Sequence, residues 1–178
     1  MVICPRRFNI YLPFALALAV LTGCQSAESK RENLIATVRV YLESNVEVTD
    51  QTQVVGICRA APMAVNIVSS PFLNESLLVK ASLLNDHGGF ALKLEFNNLG
   101  KTILEQYSAT NPNRRFAIRS QFGLEPNAVD RWLGAPRIQQ RITDGVLIFT
   151  PDADRAEAEQ IVLGLNNHAE KTGEHERP

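Results

Sequence analysis

Residues 77–96 read LLVKASLLNDHGGFALKLEF, and this stretch decides the fold class. Two strand-like runs, 77–84 and 90–96, flank Asn85-Asp86-His87-Gly88-Gly89, residues that tolerate positive φ and turn the chain back on itself. The second run alternates. Phe90, Leu92, Leu94 and Phe96 fall on one face, Lys93 and Glu95 on the other. A period of two with one apolar face predicts an antiparallel hairpin, buried on one side and wet on the other.

Outward from the hairpin the period changes. Leu99, Ile103, Leu104 and Tyr107 recur at helical spacing, with Asn97 or Asn98 as N-cap and Asn111-Pro112-Asn113 as the stop. Residues 115–120 read as a strand with Phe116 and Ile118 on one side, and 123–137 as a loop rich in glycine and proline. Residues 145–150 (GVLIFT) read as a short apolar strand opened by an Asp144-Gly145 turn. The last helix is predicted to start at Thr150 as N-cap, with Pro151 in first position and Asp152 and Asp154 facing the positive end of its dipole. Ala158, Ile161, Val162 and Leu165 form its apolar stripe, and Asn166-Asn167 ends it. Upstream, Ala36, Val38, Val40 and Leu42 alternate as a strand and 63–68 form another, while 46–57 is too polar and broken to assign. Neither an internal repeat nor a second core is legible. The predicted fold class is α+β: a single domain, a largely antiparallel sheet with two main helices packed on one face.

Leu21-Thr22-Gly23-Cys24 closes a short apolar run behind Arg6 and Arg7. This pattern resembles the lipobox of bacterial lipoprotein signal peptides. The resemblance implies cleavage after Gly23 and lipidation of Cys24, so that the membrane becomes a partner through that lipid. The expected division is a signal peptide at 1–23, a lipidated cysteine and polar tether at 24–33, a folded domain at 34–167 and a polar tail at 168–178. The apolar run, about a dozen residues, is shorter than the roughly 20 of a spanning helix. Gln25 after Cys24 resembles the pattern of lipoproteins sent to an outer membrane. The expected location is the cell envelope, facing the periplasm, with the outer membrane favoured over the inner.

Composition excludes more than it selects. An apolar fraction of 45% and a charged fraction of 21% are those of a folded domain, and a net charge of −1 gives no global field for nucleic acid. Of three cysteines, Cys4 leaves with the signal peptide and Cys24 takes lipid, so Cys58 has no partner for an internal disulfide. It is expected to be buried and inert. His87, His168 and His175 fall in a turn and a tail and are expected to be exposed. No nucleophile constellation, metal-ligand spacing or phosphate loop stands out, so neither enzymatic activity nor a cofactor or metal is expected. The dipole accounts for Asp152 and Asp154 without a cation. Arg114, Arg115, Arg119, Arg131, Arg137 and Arg141 read as a solvated face; on one shared face they would suit lipid headgroups or an acidic partner. Arg131-Trp132 holds the single tryptophan, and both residue types are enriched at binding hot spots. Arg131, Trp132, Pro136 and Arg137 are the candidate partner-binding residues.

These residues together resemble a known family. Residues 90–96, then Gly100 and a helix reaching Tyr107-Ser108-Ala109-Thr110, then Asn111 and Arg115-Phe116-Ala117-Ile118 form the first part. Ala135-Pro136-Arg137-Ile138, Ile142, Gly145, Phe149-Thr150 and a helix ending Leu163-Gly164-Leu165-Asn166 form the second. The pattern is similar to the head subdomain of the first periplasmic domain of SecD and SecDF, translocon-associated export proteins. The Ala-Pro pair is its most distinctive part. The resemblance implies a non-enzymatic α+β module on the outer side of the cytoplasmic membrane that contacts emerging polypeptides or translocon components. SecD carries this module between transmembrane helices, and with none legible here a proton-driven step does not transfer. The alternative is a structural or accessory lipoprotein of the envelope or translocon that binds no client. Oligomeric state is not legible.

Overall fold

The structure is a computed structural model that describes residues 29, 31–45, 49–86, 88–124 and 126–175. The chain divides after Asn33. Within the first unit, the Asn33 side chain donates to the Ser29 C=O at 2.8 Å and closes a helical turn. The lipobox with Cys24, and also His87, lie outside the described residues. The second unit, Leu34–Pro178, carries the sheets and the two main helices.

Its described residues form strands β1 (Thr37–Leu42), β2 (Thr52–Ile57), β3 (Met63–Val68), β4 (Leu73–Asn74), β5 (Leu78–Asp86), β6 (Gly89–Phe96), β7 (Phe116–Phe122), β8 (Val129–Gly134) and β9 (Val146–Phe149). Helix α1 spans Asn98–Thr110 and α2 spans Arg155–His175. The class is the expected one, a single α+β domain with antiparallel pairing. The strands fall into three sheets, ordered β4-β1-β7-β8, β2-β3 and β5-β6-β9.

The β5–β6 hairpin forms where its alternation places it, and Gly88 takes the positive φ of +96° that its turn requires. Leu92, Leu94 and Phe96 are buried, as are Val38, Val40 and Leu42 of β1. Together with Phe116 and Ile118 of β7, Leu133 of β8, Leu147 and Phe149 of β9, Leu104 of α1 and Ile161 and Leu165 of α2, they make the main core. A smaller cluster, invisible to the sequence, joins Ile57, Val65 and Ile67 of the β2–β3 hairpin to Tyr41 and Ala117. The β2–β3 hairpin therefore covers a face of the four-stranded sheet that alternation alone would leave wet.

Helix α1 is capped by Asn97, whose side chain accepts from the Gly100 N–H at 2.9 Å, and ends at Thr110 as expected. Leu99, read as part of its apolar face, is 60% exposed. Four other expectations need correction. Residues 129–134 are strand β8 rather than loop: Asp130 and Arg131 broke its alternation, and both charges are paired in the fold, with Arg119 and Glu157. Residues 52–57, too polar to assign, are strand β2 because one flank, ending at Ile57, is buried in the smaller cluster. Helix α2 begins at Arg155, not Pro151. Asp154 and Glu157 form a reciprocal capping box: the Glu157 N–H donates to Asp154 at 2.8 Å and the Asp154 N–H to Glu157 at 2.9 Å. Nor does α2 stop at Asn166-Asn167. It runs on to His175, because both asparagines bond outward, to Ala81 and Leu34, instead of ending the helix.

Gly164 lets α2 approach the main chain. A Cβ there would stand 2.7 Å from the Ala36 amide nitrogen, so only glycine fits without displacement.

Candidate functional site

An open groove of about 790 Å³ runs between β9 and the segment that follows β8, within the range of about 300–1,000 Å³ usual for ligand sites. Leu133, Pro136, Arg137, Ile138, Ile148 and Thr150 are among its lining residues. Backbone bonds fix one side. The Phe116 N–H donates to the Pro136 C=O at 3.0 Å and the Ile138 N–H to the Arg114 C=O at 2.8 Å, so residues 136–138 cannot drift from β7. The loop into β9 is anchored from α1. Buried Ser108 accepts from the Ile142 N–H at 2.9 Å, and Arg141 pairs with Glu105.

Three charged side chains line the groove, and one of them, Asp152, is paired with an opposite charge. Arg115 donates to the Ala135 C=O at 3.1 Å. Asp152 accepts from the Arg59 backbone N–H at 2.6 Å and from its guanidinium Nε at 3.4 Å. Arg137 is exposed, and its side chain has no hydrogen bond or ion pair with the described residues. The groove thus presents two guanidinium groups with no carboxylate partner among the described residues, Arg115 bonded to a carbonyl and Arg137 exposed.

The ladder of β9 determines which backbone groups face the groove. The Phe96 N–H donates to the Gly145 C=O at 3.0 Å, and pairing continues as Glu95 with Val146, Leu94 with Leu147 and Lys93 with Ile148. Antiparallel ladders alternate, so Gly145, Leu147 and Phe149 bond to β6 while Val146 and Ile148 point the other way. The Val146 N–H is taken by the Asp144 carboxylate at 3.0 Å. No other described strand lies beyond β9, which leaves the N–H and C=O of Ile148 at an open edge. At the opposite edge of the same sheet, Asn166 accepts from the Ala81 N–H at 2.8 Å and donates to the Ala81 C=O at 3.1 Å.

The candidate residues read from the sequence separate into two places. Pro136 and Arg137 line the groove; Arg131 and Trp132 do not. Trp132 meets Tyr41 edge-on, ring centroids 5.1 Å apart, and packs against the smaller cluster. Arg131 lies 5.3 Å above the Phe122 ring and donates to Glu157 at 2.6 Å, where Arg59 also reaches at 3.3 Å. The Arg131 bond draws the Glu157 carboxyl down to about 2, and the Asp154 N–H and the nearby guanidinium charges reinforce it against the opposing effect of burial. The six arginines therefore do not act as one basic face: Arg119, Arg131 and Arg141 pair separately with Asp130, Glu157 and Glu105.

Cys58 is exposed, not buried, at φ +74°. Strand β2 ends on buried Ile57, and the next residue turns outward at the start of the loop to β3. Asp154 meets the positive end of the α2 dipole as its N-cap, as expected, whereas Asp152 serves Arg59 instead. Sequence reading missed the roles of Ile148 and Asn166. A lone isoleucine in GVLIFT and an asparagine near a helix end carry no signal of an edge left open or closed. Among the described residues, no three His, Cys, Asp or Glu side chains converge to hold a metal ion, and no helix is long and apolar enough to cross a membrane.

No protein-family model matches this sequence, and no curated protein matches it. The fold does have solved counterparts. It is similar to a structure of SecDF, a membrane component that enhances protein export, with a TM-score of 0.55 at 20% identity over 80% of this chain. It is also similar to SecDF in its super-membrane-facing form, with a TM-score of 0.54 at 19% identity over 80% of this chain. This chain spans 67% of the first of those chains and 20% of the second. At such identities the likeness shows the fold, a SecDF-like α+β domain, which is the fold the resemblance implied.

Proposed function

We propose that this chain is a polypeptide-binding module of the bacterial envelope, tethered by lipid on Cys24 and acting in protein export or envelope quality control without catalysis. The observation that carries the reading is the open groove, which joins apolar residues to the uncompensated charge of Arg137 on a fold shared with SecDF. The carry-over of an export role from SecDF is by analogy of fold, and the groove supplies the place where it would act. Pro136 and Arg137 are the proposed contacts. Arg131 and Trp132 act through the frame, holding β8 to α2 and to the β2–β3 hairpin.

The test is saturable binding of chemically unfolded envelope polypeptides by the full 178-residue chain, followed by fluorescence anisotropy. Arg137→Glu should weaken binding while leaving the melting temperature unchanged, whereas Trp132→Ala should lower the melting temperature. Absence of saturable binding, with translocon subunits recovered by crosslinking in cells, would replace this reading with that of an accessory lipoprotein. Cys24→Ser should accumulate as an unprocessed precursor. Separation of the two membranes should place the mature chain in the outer one.

A further inference from the structure

We infer that the groove holds its polypeptide as an added strand: an extended segment pairs with the free edge of β9 through Ile148 and sets an acidic side chain on Arg137. This rests on the reading of the groove as a polypeptide site and specifies how the polypeptide is held.

Sheet edges are normally blunted by charge, proline, bulges or a covering element. The edge at β5 is covered, since Asn166 answers both outward groups of Ala81. Part of the edge at β8 is answered too, because the Leu133 C=O accepts from the Asp152 N–H at 2.6 Å. β9 is different. Its residues, VLIF, include no charge and no proline, and Ile148 is 50% exposed. Within an antiparallel ladder one residue directs its N–H and C=O to the same side. Ile148 therefore offers a donor and an acceptor spaced to take one residue of an incoming strand in a doubly bonded pair. The incoming strand would lie in the groove, with alternate side chains toward Leu133 and Ile138 or toward solvent.

Charge selects among extended segments. Asp152 is paired with Arg59 and Arg115 is tied to the Ala135 C=O, which leaves Arg137 as the exposed guanidinium with no hydrogen bond or ion pair among the described residues. A strand with an aspartate or glutamate in reach of Arg137 is favoured over a neutral or basic one.

The experiment titrates the full chain with a short end-blocked peptide of alternating valine and threonine carrying one central glutamate. Two N-methylated forms are run beside it, each blocking one alternate set of amides. Saturable binding is expected, lost by about tenfold or more when one set is methylated and kept when the other set is. Ile148→Pro removes the outward N–H without touching a bond to β6, and should weaken binding about fivefold. Arg137→Gln should weaken the glutamate peptide about threefold and leave its glutamine analogue unchanged. Equal binding of both methylated peptides would overturn strand addition and leave the groove reading standing. So would binding of unfolded polypeptides with no binding of the strand peptide. A glutamine peptide that binds as well as the glutamate one would overturn the charge assignment. A dimer in ultracentrifugation, abolished by Ile148→Pro, would identify a second copy as the occupant and overturn the proposal. Failure of peptide and unfolded polypeptide alike would remove the groove reading with it.

Discussion

At β5 the outward N–H and C=O of Ala81 are both bonded by Asn166, whereas at β9 the corresponding groups of Ile148 face an open groove. The two edges belong to one small sheet and share its middle strand, with Ala81 in the core and Ile148 half exposed. They differ in what lies beside them. Helix α2 runs along β5, brought close to the main chain at Gly164, while β9 lines an open groove with residues 133–140 and with Cys58, Ala60 and Met63. An exposed, uncharged edge strand is a template for pairing with another chain. The groove at the bare edge is where the proposed client would sit.

The comparison can be broken first at its closed side. Gly164→Val forces two methyl groups into the Ala36 backbone and should cost about 3 kcal/mol, read as a lower midpoint in urea. An unchanged midpoint would mean that α2 is not held against the chain there. Asn166→Ala leaves the N–H and C=O of Ala81 without partners in a partly buried site. A loss of about 2 kcal/mol is expected, with faster exchange of the Ala81 amide.

The start of α2 is held by charge as well as packing. Glu157 sits at about 2, below its ordinary 4.5, so the unfolded chain binds the proton more tightly than the folded one. The stabilisation is present above pH 4.5 and is lost as the pH falls from there toward 2. With its side chain 24% exposed, Glu157 should contribute about 1–2 kcal/mol at neutral pH. Glu157→Gln should lose that amount at pH 7 and show a shallower acid limb in pH-dependent denaturation. Equal acid limbs in the two proteins would contradict the assignment. The smallest effect on stability belongs to the open side. Ile148→Lys should change the urea midpoint by less than about 0.5 kcal/mol, yet block the edge to added strands.

How much of the fold and the site was legible depended on whether a residue's role was set by its neighbours in sequence. The alternation in residues 90–96, the Asn97 cap and the Asn111 stop are local, and each formed as read. Strand β8 was hidden because Asp130 and Arg131 are tolerated only through Arg119 and Glu157, which are distant in sequence or on another element. The start of α2 was misplaced by four residues because Thr150 and Pro151 fit a helix start in isolation. Asp152 is drawn off to Leu133 and Arg59, and the capping box falls at Asp154. The four candidate residues part into two places. Pro136 and Arg137 lie where the Ala-Pro pattern directed attention, while Trp132, chosen for its type, turned out to pack on Tyr41. The edge at Ile148 could not be read, since which amides face outward follows from register with β6 and not from any residue's identity.

Hydrogen exchange at two amides tests the account most directly, because the Ala81 and Ile148 amides point outward from opposite edges of one sheet. In the free chain the Ala81 amide should exchange slowly and the Ile148 amide fast. On saturation with the glutamate peptide, Ile148 should become protected while Ala81 stays as it was. An Ile148 amide already as slow as Ala81 in the free chain, or one still fast at saturation, would contradict the account.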